Sequence, residues 1–185
     1  MQGEVKTKTV AERILKTAQL SRITVIRPAY FMENWLTTLE DQEDRTSSFT
    51  TYITPLDWKI PMVAIRDVGV AAAHALTTDA RQSSQLYIHE LHGPKPEGYS
   101  PLDVRNAFVK GLGKDDVDIQ TVEKDGLEAM FSTFLPKACV AEFVEMVTSF
   151  LPGGVLDLNP DPEAVVVRGE TSLEEAIGEA LRASG

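Results

Sequence analysis

Tyr30, Phe31, Glu33, Asn34 and Trp35 crowd into six residues at the end of a β-branched run, RITVIRPAYFMENW. A phenol and a carboxylate can exchange protons with a substrate, and aromatic walls with a few polar tips suit a small-molecule pocket. The plain alternative is a hydrophobic corner in which Phe31 and Trp35 only fill core. The position supplies the argument for a pocket, because ligands of open α/β sheets bind outside the carboxyl ends of the strands.

The surrounding elements must hold these residues. Thr9 to Leu20 reads as a helix with Val10, Ile14 and Leu15 on its apolar stripe. Ile23–Ile26 is apolar enough for a strand covered on both faces, and Pro28 should end it. Tyr30 to Leu39 suits a short helix, Thr46–Phe49 a polar turn, and Tyr52–Ile53 a short strand. A strand around Met62–Ile65 leads to a helix capped by Asp67, with Val68, Ala71, Ala72, Ala75 and Leu76 as its buried stripe. Gln85–Glu90 and Val117–Val122 are further strands. Ser100-Pro101-Leu102-Asp103 opens a helix that Gly113 should stop. Two helices break at Pro136, LPGGVLDLNPDPEAVVVRG reads as loop, and Thr171-Ser172-Leu173-Glu174 as the capping box of a last helix. Alternating helix and strand with a helix-rich second half argue an α/β fold.

Several chemistries are disfavoured. A net charge of −10 argues against nucleic acid and anionic membranes. Cys139 is the only cysteine and no apolar run nears a membrane span, so the expected setting is the cytoplasm. There is no GxGxxG after a strand, no P-loop, no GxSxG and no HExxH. Gly111 and Gly113 follow a helix and read as its cap. His89 and His92 would diverge on a strand, Asp157, Asn159, Asp161 and Glu163 lack the glycine of a calcium loop, and no metal is expected. His74 reads as structural or solvent-facing, and Cys139 as inert packing.

Three ordered segments carry a resemblance: KTKTVAERILKTAQLSRITVIRPAYFMENW, IPMVAIRDVGVAAAHAL and YIHELHGPKPEGYSPLDVRNAFVKGLG. Together, over roughly Lys6 to Gly113, they resemble the NmrA-like family of atypical short-chain dehydrogenase/reductases. The resemblance implies a Rossmann-type domain that binds NAD(P), with a small C-terminal substrate lobe. It places Lys8 near the nicotinamide ribose, and Pro28, Tyr30, Phe31 and Asn34 on the loop shaping the pocket. The family's glycine-rich turn and first parallel strands are not in this sequence, so NAD(P) is implied by family but expected to bind poorly or not at all.

The expected architecture is thus α/β: a partial Rossmann-like parallel sheet lacking the N-terminal βαβ units, with a helix-rich C-terminal lobe. The division is 1–98 for the Rossmann remnant and 99–185 for the substrate lobe, packed as one unit. The ITVI strand would then be an edge, which a homo-oligomer or a partner chain should cover. The expected function is binding of a small organic substrate beside RPAYFMEN. A second reading is a non-redox isomerase, cyclase or lyase: Tyr30 or Glu33 as acid or base, Lys8 on an oxyanion, and Phe31, Trp35 and Trp58 as walls.

Overall fold

The computed structural model describes residues 5–18, 20, 22–41, 47–77, 86–154 and 161–184, with only the backbone described for 5–9 and 184. Helix α1 (Val5–Lys16) leads into β1 (Ile23–Pro28), a turn, and the two-residue β2 (Tyr30–Phe31). A 3₁₀ helix spans Met32–Thr38, followed by β3 (Leu39–Glu40), β4 (Ser47–Thr51) and β5 (Met62–Val63). Then come α2 (Ile65–Thr77), β6 (Leu86–His92), α3 (Pro101–Leu112) and β7 (Val117–Thr121). A short 3₁₀ turn, Lys124–Gly126, precedes α4 (Leu127–Phe131), α5 (Lys137–Thr148), β8 (Ala164–Arg168) and α6 (Leu173–Ser184).

The β-branched runs of β1 and β8 flank β6 in the main sheet, in the order β1-β6-β8 and parallel throughout. Residues paired in parallel register share a face, so Arg27 lies beside Glu90, and His92 beside Arg168, on one face at the carboxyl end. A second sheet, β3-β4-β7, pairs β4 antiparallel to β3 and parallel to β7. Strands from both sides of residue 98 therefore share sheets: β8 pairs with β6, and β7 with β4.

The main core gathers Trp35, Phe49, Phe108, Leu173 and Ile177 where α3 packs on α6 and α6 lies against the 3₁₀ helix. Edge-to-face stacking links Trp35 to Phe49 (5.8 Å) and Phe49 to Phe108 (5.3 Å). A smaller cluster under α4 and α5 holds Leu127, Phe131, Val140 and Val147.

Several expectations need correction. The polar turn predicted at Thr46–Phe49 is largely β4, and Tyr52–Ile53 forms no strand. The sequence SSFTT alternates, burying Ser47, Phe49 and Thr51. Its buried hydroxyls are served locally: Ser47 Oγ donates to Asp41 (2.5 Å), and Thr51 Oγ1 accepts from the Ile53 amide (3.0 Å). AVVVR, within the stretch read as loop-rich, is strand β8, while the short helix expected over Tyr30–Leu39 is present as the 3₁₀ helix Met32–Thr38 after the short strand β2. Helix α1 begins and ends about one turn earlier than predicted. The last capping box is shifted by one residue: Ser172 Oγ accepts from the Glu175 amide and Glu175 from the Ser172 amide. The stripe of α2 is only half-buried, and Leu76 is exposed. Asp157 and Asn159 lie outside the described residues.

Asp67 does not cap α2, which starts at Ile65. Its buried carboxylate accepts instead from the amide (3.0 Å) and hydroxyl (2.8 Å) of Thr171, fastening the start of α6 to the first turn of α2. Gly169 makes this approach possible, since a Cβ there would stand 2.1 Å from Asp67 Oδ2.

Candidate functional site

The chain leaves β1 at Pro28, Ala29 donates to the Leu91 carbonyl (2.9 Å), and Tyr30 begins the short pairing of β2 with β5. Tyr30 is thereby held just beyond the carboxyl end of the parallel sheet. Its hydroxyl lies 3.4 Å from that of Tyr52, which follows β4. Its ring stands 5.7 Å from both Trp35 and Phe150, the latter edge-on. Trp58 closes the group by donating Nε1–H to the Phe150 carbonyl (2.9 Å). Tyr52 packs against both hydrophobic clusters, so the two phenols sit at the seam between the two cores.

Burial, then the neighbouring Tyr52, pushes the Tyr30 phenol well above its usual range, with Asn34 partly opposing. Burial likewise raises Tyr52, against the hydrogen bond with Tyr30. Both phenols therefore stay protonated near neutrality. Within the pair only one O–H can point at the other oxygen, which leaves a second proton to offer to a ligand oxygen.

Glu33 is placed differently from its expected role. Its Oε1 accepts from the Ile65 amide (2.9 Å), so this carboxylate, not Asp67, serves the N-terminus of α2. Its Oε2 is buried with no hydrogen-bond partner. Trp35 is 2% exposed, donates to the Met62 sulfur (3.4 Å) and belongs to the core. Phe31 and Trp58 are half-buried, while Asn34 and Pro28 are exposed. Lys8 lies on α1, its side chain outside the description. The structure thus brings together Tyr30 and Trp58, with Asn34 nearby, and adds Tyr52 and Phe150. Sequence carried no signal for these two, which lie 22 and 120 residues from Tyr30, apart from their aromatic type.

On the other side of β1, Arg27 donates two bonds to one carboxylate, Glu12 (2.6 and 2.9 Å), and one to Asp161 (2.8 Å), with Glu90 at 3.8 Å. The hydrogen bonds from Arg27 hold both Glu12 and Asp161 below the usual carboxylate range. Burial lowers His92, with Glu90 opposing and Arg168 adding to it. Among the described residues no group of three His, Cys, Asp or Glu is arranged to hold a metal. No described helix is long and apolar enough to cross a membrane.

Family models give no match to the chain. An agroclavine dehydrogenase of Claviceps fusiformis is 30% identical over 112 residues, 60% of this chain and 37% of the relative. Its counterpart in Claviceps purpurea is 36% identical over 92 residues, 49% of this chain and 30% of the relative. Among solved structures, the leucoanthocyanidin reductase–NADPH complex from Vitis vinifera superposes with a TM-score of 0.66 at 16% identity. That match covers 96% of this chain and 60% of the reductase. An isoflavone reductase gives 0.63 at 16% identity over 94% of this chain and 57% of its own. The chain thus spans about two fifths or less of its curated relatives' length, and it shares the α/β, Rossmann-type fold of these reductases.

Proposed function

We propose that this chain is an NmrA-like, reductase-derived protein that binds a small, largely apolar organic molecule beside the Arg27–Asn34 turn, with weak or no hold on a dinucleotide. The observation that carries the reading is the Tyr30–Tyr52 hydroxyl pair at the sheet's carboxyl end, walled by Phe150 and Trp58. Such a site offers a protonated donor to a carbonyl or hydroxyl oxygen and aromatic surface to the rest of the ligand. The dehydrogenase relatives and reductase-like fold support the ancestry.

NADPH is the cofactor in the grape reductase complex, and the residues here do not fit its pyrophosphate. A pyrophosphate needs helix amides left open by a glycine-rich turn. Three long helices already have a carboxylate at that place: Glu33 on α2, Asp103 on α3 and Glu175 on α6. The sequence has no glycine-rich turn between a strand and a helix.

A second reading is acid/base chemistry without redox. The engagement of Glu33 with Ile65 favours Tyr30 as the acid in that case. Calorimetric titration tests the main proposal. Agroclavine or an isoflavone should bind and weaken about 2- to 10-fold in Tyr52→Phe, the loss of one net hydrogen bond. NADPH should give no saturable heat below about 1 mM. Micromolar NADPH binding with reduction of either compound would overturn the proposal, as would ligand affinity indifferent to both Tyr30→Phe and Tyr52→Phe.

A further inference from the structure

The Tyr30–Tyr52 pair lies beside a part of the chain that packs mainly on itself. Leu127, Phe131, Val140 and Val147 of α4 and α5 form their own cluster, in which Phe131 stands 5.8 Å from Phe143. Among the described residues, Tyr52 is the one side chain packed against both this cluster and the main core. Two residues past α5, Phe150 makes the other junction: its ring is edge-on to Tyr30 at 5.7 Å, and its carbonyl accepts from Trp58 Nε1–H at 2.9 Å. The chain enters this lobe through the Lys124–Gly126 turn, just after the Val122 amide donates to the Thr51 carbonyl (2.9 Å). Elements that share little buried apolar surface with the rest of a domain open at lower free energy than its core. Burial is the largest influence on both phenols, so a ligand that reaches them must part this seam.

We propose that α4 and α5, with the chain as far as Phe150, form a gate over the phenol pair, latched by the Trp58–Phe150 hydrogen bond. The inference rests on the ligand-binding reading of this site and adds how the site is reached. Opening separates Phe150 from Tyr30 while α4 and α5 stay packed on each other, because their apolar contacts lie within the lobe. The Lys124–Gly126 turn, at the end of an element, is where such a hinge would bend. A flat ring needs about 3.5–4 Å on each face, so a small rotation admits it between Tyr30 and Phe150. Its oxygen then meets the spare phenol proton, and Phe150 serves as the far wall. The closed latch competes with the ligand, whose affinity is reduced by the fraction of molecules that stand open. Loosening the latch should therefore tighten binding, the opposite of what removing a simple contact residue does.

Hydrogen exchange on the full chain should show α4 and α5 opening together, about tenfold or more faster than α3 and α6. Trp58→Phe keeps an aromatic wall and removes the latch donor. It should speed exchange in α4 and α5 about fivefold, the worth of one net hydrogen bond, and leave α3 and α6 unchanged. Acetophenone, one flat ring with one carbonyl oxygen, serves as the probe, its affinity read by ligand-observed NMR. It should bind Trp58→Phe more tightly than the wild type by the same factor of about five. A lobe that exchanges only together with α3 and α6 overturns the gate. So does acetophenone affinity that Trp58→Phe leaves unchanged or weakens; if Tyr52→Phe still weakens that probe, the binding site stands and the gate alone falls. Acetophenone that binds neither protein up to about 10 mM strikes both the site and the gate. Should Trp58→Phe fail to fold, Phe150→Leu removes the stacking on Tyr30 instead, with the same expected outcomes.

Discussion

Among the residues that looked chemical, burial and hydrogen bonding decide which remain available. Glu33 spends one oxygen on the Ile65 amide, which makes it a cap supplied from a distant turn. Glu33→Ala should therefore destabilise the chain by about 1–2 kcal/mol, as lost caps do. Glu33→Gln keeps an acceptor and should lose less, which paired urea titrations would show; equal losses would count against the cap. Tyr30→Phe strips one member of a half-buried pair and should cost about 1 kcal/mol in the same measurement. The opening stretch showed aromatic and carboxylate types in the right place. It could not show that Trp35 turns into the core beside Phe49, or that Tyr52 arrives from the end of another strand to meet Tyr30. Those partners are fixed by tertiary packing, to which local spacing is blind.

Elements whose signals are local were legible. Ser100 and Asp103 form the reciprocal box expected of them, Pro101 begins α3, and Gly113 ends it at φ 66° in the left-handed region. Ser100→Ala should cost about 1–2 kcal/mol of stability by urea titration. Asp67 misled because a good capping residue sits within the first turn, where its carboxylate serves Thr171 instead. Strand β4 was hidden by its serines and threonines, and β8 by the prolines and glycines around it. Helix α1 is tied to β1 through Arg27, whose hydrogen bonds lower the Glu12 and Asp161 carboxyls. A carboxyl lowered in the folded state contributes stability above its unfolded pKa, and that contribution is lost as pH falls through the folded value. Stability should thus decline as pH drops from about 5 to about 3. The decline should be shallower in Arg27→Gln; identical slopes in urea titrations at the two pH values would remove this role.

Across the whole molecule, the parallel sheet and helical second half follow the alternation visible in the sequence. The mixed second sheet does not, because β3, β4 and β7 are brought together from residues 39 to 121. Phe49 lies where that sheet meets α3, fully buried against Trp35 and Phe108. Phe49→Ala should cost about 3–5 kcal/mol and lower the temperature of a calorimetric transition markedly. Where α2 meets α6, two segments 104 residues apart are held together through the bare backbone of Gly169, since a Cβ there would stand 2.1 Å from Asp67 Oδ2. One absent methyl group thus keeps distant parts of the chain in register.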